Sequence, residues 1–337
     1  MKKLFVSLVA AIVATTACFG QSSLLATLSH EGTISTFYGA GALRAAHAAA
    51  ADGDIITLSS GSFVSTDITK GITLRGAGME VNSEVHGEPT IISGNFSINI
   101  PEETTKRLTI EGIYHNATIG VSKRLENATF LKNRFRIFAS NENGTIKNAT
   151  FIHCRISEEL SLKADCSAAC VNCIIMNPST NSQSTSNFEC VNCVLEKGNR
   201  WCDFYSSSLK NCILIATNES AIPETCTIYN CLALSYECYT PIFQNVPNTT
   251  NVALNLREVN QFFKSGNSTY NDNEKYELPE EAQSQYLGTN GTQVGIYGGT
   301  LPFSSTPTNP QITKCNVAAK STADGKLSVD IEVSSVE

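Results

Sequence analysis

Charge is scarce in this sequence: Asp, Glu, Lys and Arg make up 16% of 337 residues, and 24 basic against 31 acidic side chains leave a formal net charge of -7. No basic tract offsets that balance, so the chain repels phosphate backbones and nucleic acid is not expected as a partner. Long apolar runs are also missing. The one candidate, Leu4 to Ala14, is too short for a membrane-spanning helix, and no transmembrane span is expected. A nucleotide-binding glycine loop is absent as well, because Gly39 and Gly41 lack both a third glycine and a preceding strand. No cofactor is implied.

What is present begins with "MKKLFVSLVAAIVATTACFGQ": a Lys2-Lys3 start, an apolar stretch, and small residues before Gln21. That is the layout of a secretory signal peptide over residues 1–20. Cys18 offers a second reading, as the lipidated residue of a lipoprotein box. Either way the chain is expected to be exported: secreted, periplasmic or held at the cell surface.

Thirteen cysteines follow this thin charge, and two of the sites read "CVNC", at Cys170–Cys173 and Cys190–Cys193. Two CxxC pairs fit a zinc ribbon. Internal repetition supplies the competing account. Aligned on asparagine, "LENATF", "IKNATF", "CVNCII", "CVNCVL", "LKNCIL" and "IYNCLA" place Asn127, Asn148, Asn172, Asn192, Asn211 and Asn230 in one column. The residues two before it are Leu125, Ile146, Cys170, Cys190, Leu209 and Ile228; one after it stand Ala128, Ala149, Cys173, Cys193, Cys212 and Cys231. Three after it stand Phe130, Phe151, Ile175, Leu195, Leu214 and Ala233. Like side chains recurring at steps near twenty residues indicate coils stacked about 4.8 Å apart. The cysteine column runs on through lone Cys212 and Cys231, without second ligands, so the cysteines are expected to be buried thiols rather than metal ligands. On this alignment alanine should be tolerated at Cys193 or Cys212, and a large residue should not. The asparagines mark a bend, since Asn accepts left-handed backbone angles and strict alternation breaks there. Asn127 and Asn148 also stand in Asn-x-Thr sequons, which the repeat explains without glycosylation.

Ahead of the repeats an alanine-rich helix is expected at about 41–51, laid over the first rung as a cap, followed by a strand from Ile55 to Leu58. "GDIITLSSGSF", "ITKGITLRGAG", "TIISGNFSI" and "RLTIEGI" resemble the opening coils of exported right-handed parallel β-helix proteins, the pectin-lyase-like group of bacteria, and "GTQVGIYGG" resembles their closing coil. The resemblance covers about residues 41–303. It implies an all-β, right-handed parallel β-helix over 21–303, while activity varies across that group. Residues 304–337 read as a Pro/Ser/Thr-rich linker and a β-hairpin turning at Asp324-Gly325.

Enzymes on this scaffold need carboxylate pairs, or calcium-binding acids beside a basic residue. Around Asp165, Asp203, Glu158-Glu159 and Glu189 neither is present. Five residues after the asparagine column stand Lys132, His153, Asn177 and Lys197, and seven after it Arg134 and Arg155, which the alignment stacks as an exposed cationic strip. With Trp201 and Tyr205 of "WCDFY" nearby as sugar platforms, the strip suggests a groove for an acidic polysaccharide or surface glycan. The expected function is a non-catalytic carbohydrate-binding or structural protein; the alternative is a polysaccharide lyase or glycoside hydrolase whose acids converge only in space.

Overall fold

The computed structural model describes residues 24–334 apart from 82–86, 164, 181–186, 198–204, 217–220, 236–241, 246–249, 256–261, 268–270, 272, 309, 318–321 and 323. Each repeat supplies one short strand to a first sheet, turns a corner, and supplies a second strand to another sheet. The result is a parallel β-solenoid of about 8 turns, 46% strand and 6% helix. Eleven strands form the first sheet, from the N-terminal hairpin to Thr227–Tyr229, and the second runs from Gly61–Val64 to Val252–Asn255.

The turn between the two sheets is made by one residue in the left-handed region. Gly112, Lys132, His153, Asn172, Asn192, Asn211 and Asn230 fill that position, with φ between 49° and 67°. Asn127 and Asn148 are left-handed too, at φ 52° and 54°, but they lie at a different corner, ahead of the strands Thr129–Leu131 and Ala149–Ile152. Asparagine suits both corners for the same reason, so an alignment on asparagine joins two corners and slips by five residues between Asn148 and Asn172. The pairing shows the correction: Phe151 faces Cys170, and Cys170 faces Cys190. Ala149 meets Ala168, not Cys173.

The true partners of the cysteines explain their presence. Arg155 pairs with Ile174, which sets Cys154 beside Cys173. The amide of Cys154 donates to the sulfur of Cys173 at 3.3 Å, that of Cys173 to Cys193 at 3.4 Å, and that of Cys193 to Cys212 at 3.5 Å. Cys212 donates in turn to Cys231 at 3.4 Å. Asparagine does this work at the ends of the column: Ile113 donates to Asn133 Oδ1 and Cys231 to Asn251 Oδ1. The bend takes one amide per coil out of the backbone ladder, and the next coil's side chain satisfies it. Cys154, Cys166, Cys170, Cys173, Cys190, Cys193, Cys212, Cys226 and Cys231 are all buried free thiols. Among the described residues no group of metal-ligating side chains forms a metal site.

The first coil is closed in two ways. A helix, Ala42–Ala49, lies inside the expected 41–51 span and buries Ala42, Leu43, Ala46 and His47. Its last carbonyls are gathered by Lys70 Nζ, which donates to the oxygens of His47 and Ala50. In addition the strand Leu25–His30 adds antiparallel to Ile55–Leu58 and carries Thr33–Tyr38 on its other side, an edge device that the sequence did not reveal.

At the last coils the second sheet is buried on both faces. Ile175, Leu195 and Leu214 point into the solenoid, while Ile174, Val194, Ile213 and Leu232 point outward into a separate cluster with Phe262, Phe263, Tyr276, Leu278 and Ile296. This is why a pair of apolar residues follows each cysteine. From Gly288 to Thr308 the chain then runs back along the corner column as a strap. Asn211 holds Thr289, Asn172 Nδ2 donates to the carbonyls of Ile296 and Gly298, and His153 Nε2 donates to the Leu301 carbonyl. Gly299 has φ +81°, and a Cβ there would stand 2.3 Å from Asn192 Nδ2. The segment expected to be a linker from 304 is therefore seated as far as Thr308, whose amide donates to Glu111 Oε1. The tail is an antiparallel hairpin of Gln311–Val317 and Val329–Ser334, as expected.

Candidate functional site

Toward the N-terminal coils the outer face of the second sheet is not covered. One outward position there reads Ile91, Tyr114, Arg134 and Arg155 in adjacent strands. These four residues floor a groove of about 800 Å³, within the usual range for ligand sites. Phe303 to Pro307 of the strap form one wall, with Tyr297 beside them, and Asn273, Lys275 and Glu277 close the end over Arg155. Along 273–277 burial alternates: Glu274 and Tyr276 are buried, with Tyr276 left-handed at φ 56°, while Asn273, Lys275 and Glu277 line the groove.

Three cations, Arg134, Arg155 and Lys275, line the groove. Arg134 Cζ lies 5.0 Å from the centre of the Tyr114 ring, which stacks the guanidinium on an aromatic face. Arg155 is 4% exposed. Its Nη2 donates to the Glu274 carbonyl at 3.0 Å, but Nε and Nη1 have no hydrogen-bond partner among the described residues. A buried guanidinium with free donors is costly unless something else accepts from them. Two acids, Glu80 and Glu277, also line the groove, and Glu277 pairs with Lys264 at 3.2 Å. Burial, followed by the Glu277 charge, pushes the Tyr297 phenol up to about 12. Tyr297 is thus a hydroxyl donor across the neutral pH range.

The residues anticipated from sequence separate. Arg134 and Arg155 do stand side by side on adjacent coils, as expected, but Arg155 is buried rather than exposed. Lys132 and His153 are neighbours too, but they occupy the corner and are buried under the strap rather than exposed. Lys132 Nζ donates to the Thr306 carbonyl, and burial lowers its pKa against the pull of Glu111. Burial likewise lowers the pKa of His153. Lys197 is buried elsewhere, its ammonium on the Pro178 carbonyl at 2.8 Å, so the five-residue slip had placed it in the wrong column. Tyr205 is half-buried and bonded through its backbone to Thr180, away from the groove. Trp201 lies outside the described residues. Tyr114, Lys275 and Tyr297 were missed. Tyr114 was within reach of the sequence, since it stands one repeat before Arg134; Lys275 and Tyr297 belong to the returning segment, whose position no repeat encodes.

No family model, no curated protein and no solved structure matches the chain.

Proposed function

We propose that this chain is an exported, non-catalytic β-solenoid protein that binds an acidic saccharide in the groove over Tyr114, Arg134 and Arg155. The observation that carries this reading is the pair Arg134 and Arg155, adjacent guanidiniums among the residues that line an open groove, the second with two buried donors, Nε and Nη1, that have no acceptor among the described residues. Carboxylate and sulfate fit the planar fork of arginine better than any neutral sugar hydroxyl does. Tyr114, Tyr297 and Phe303 supply the flat surfaces on which pyranose rings rest. The secretory layout of residues 1–20 and the resemblance to pectin-lyase-like proteins are consistent with a ligand met outside the cell.

The test is calorimetric titration with uronate oligomers and with neutral oligomers of the same length. Uronates should bind and neutral chains should not, and Arg155→Met should weaken binding at least tenfold. A charged hydrogen bond is worth about 1.5–3 kcal/mol, and tenfold corresponds to about 1.4. Binding that survives both Arg155→Met and Arg134→Met, in variants that melt like the parent, would sink the proposal. Glu80 and Glu277 in the same groove favour the second reading, a lyase or hydrolase. That reading requires an unsaturated product absorbing in the ultraviolet or new reducing ends on incubation with polyuronate.

A further inference from the structure

The groove stops abruptly. Arg155 is the last outward residue of its column open to the cavity, because its neighbour on the next coil, Ile174, is fully buried beneath Tyr276 and Ile296 in the outer core. The segment 273–277 crosses the column at that point, anchored by the Arg155 bond to the Glu274 carbonyl and by Glu274 itself. The Glu274 carboxylate accepts from Ser265, Asn267 and the Tyr276 amide, and it is 5% exposed. This barrier is thus tied down from both sides. The strap forms a continuous side wall, with Thr306 fastened to Lys132 and Thr308 to Glu111.

We propose, building on the acidic-saccharide reading, that the groove receives the end of a polyuronate chain and excludes its interior. Adjacent coils are about 4.8 Å apart, so a chain following the cationic column from Tyr114 over Arg134 brings its successive units to successive rungs. It must finish at Arg155, where Asn273 and Lys275 stand in the way of a further unit. The terminal carboxylate then meets the Arg155 guanidinium, the preceding unit lies over Arg134, and a third rests against Tyr114. Interior recognition would need an open path past Ile174, and the outer core occupies it.

Chain length is the variable that tests this. Purified uronate oligomers of increasing length are titrated calorimetrically, and the number of protein molecules bound per saccharide chain is measured for each. Affinity should rise to about three units and then level off, and occupancy per chain should stay constant from short oligomers to long polymer. Occupancy that grows in proportion to polymer length would overturn end recognition while leaving acidic-saccharide binding intact. Failure of every uronate, short or long, would instead overturn the binding reading on which this rests. A parallel titration uses oligomers reduced at one end and oligomers made unsaturated at the other. Sensitivity to one of these changes supports the proposal and identifies the end, and indifference to both refutes it.

Discussion

Replacing Cys193 by alanine tests the account of the cysteine column most directly. The sulfur of Cys193 accepts the amide of Cys173 at 3.4 Å and lies 3.4 Å from the Cys170 carbonyl, all of it fully buried. Alanine leaves the Cys173 amide without an acceptor, which costs about 1–3 kcal/mol for a buried donor. The lost sulfur also removes packing volume of about a methylene, roughly 0.8 kcal/mol before any cavity term. Thiol sulfur is a weak acceptor, so the lower half of that range applies and the sum is about 2 kcal/mol. Serine keeps an acceptor and a donor in nearly the same place and should cost less than alanine. Leucine at Cys212 should cost more than either, because a fully buried column has no room for it. A thermal melt followed by circular dichroism reads the order, with alanine lowering the midpoint by roughly 3–6 °C. Had Ala128 and Ala149 shared this column, alanine would be neutral; in the structure Ala149 pairs with Ala168 instead. An alanine variant as stable as the parent would refute the claim that the sulfurs satisfy the corner amides.

Further outcomes follow from the same geometry. The native protein should resist thiol reagents and yield free thiols in denaturant without reductant, since the nine described cysteines are all buried and none is in a disulfide; extensive oxidation would contradict this. Asn172→Ala should cost about 2–3 kcal/mol, combining a left-handed residue at φ 49° with two lost bonds to the strap. It should also open residues 288–308 to limited proteolysis, and an unchanged digestion pattern would argue against the strap. Acid should destabilise the fold: burial lowers the pKa of His47, His115 and His153, so the unfolded chain takes up protons below about 6.5 while the folded one resists. Their contribution is present above 6.5 and fades as the pH falls toward the folded values. His30 opposes it, because its bond to Asp54 raises its pKa. A melting midpoint equal or higher at pH 5 than at pH 7 would refute the balance.

The repeat was legible because a parallel solenoid places like on like, and Phe130 over Phe151, with ring centroids 4.7 Å apart, is that rule in one contact. Register was harder to read. A left-handed corner accepts asparagine wherever it occurs, so the letter that announces a corner does not say which corner it is. Hydrogen bonding decides between them: the side chain after the true corner must accept an amide, which cysteine and asparagine can do and the alanines of "NATF" cannot. Read with that criterion, Asn133, Cys154 and Cys173 fall into one column from sequence alone, and the column Tyr114, Arg134, Arg155 follows one residue later. The antiparallel N-terminal hairpin had no such signal, because its pairing to Ile55–Leu58 joins segments related by no repeat.

The same chemistry separates the cations that hold the fold from the one available to a ligand. Three are buried among the described residues: Lys132, Arg155 and Lys197. Lys132 donates to the Thr306 carbonyl and Lys197 to the Pro178 carbonyl, each binding a neighbouring segment of its own chain. An ammonium on a flexible stem suits that task, because one carbonyl gives it a near partner and its remaining donors can turn toward water. A guanidinium cannot be satisfied so simply, since its five donors lie in one plane and a single carbonyl takes one of them. At Arg155 the Glu274 carbonyl takes Nη2, and Nε and Nη1, themselves buried, have no acceptor among the described residues. Arg155→Lys should therefore retain the anchor to Glu274 and the melting midpoint while losing bidentate recognition of the ligand. Equal ligand affinity in the lysine variant would show that charge alone, rather than the fork, holds the anion.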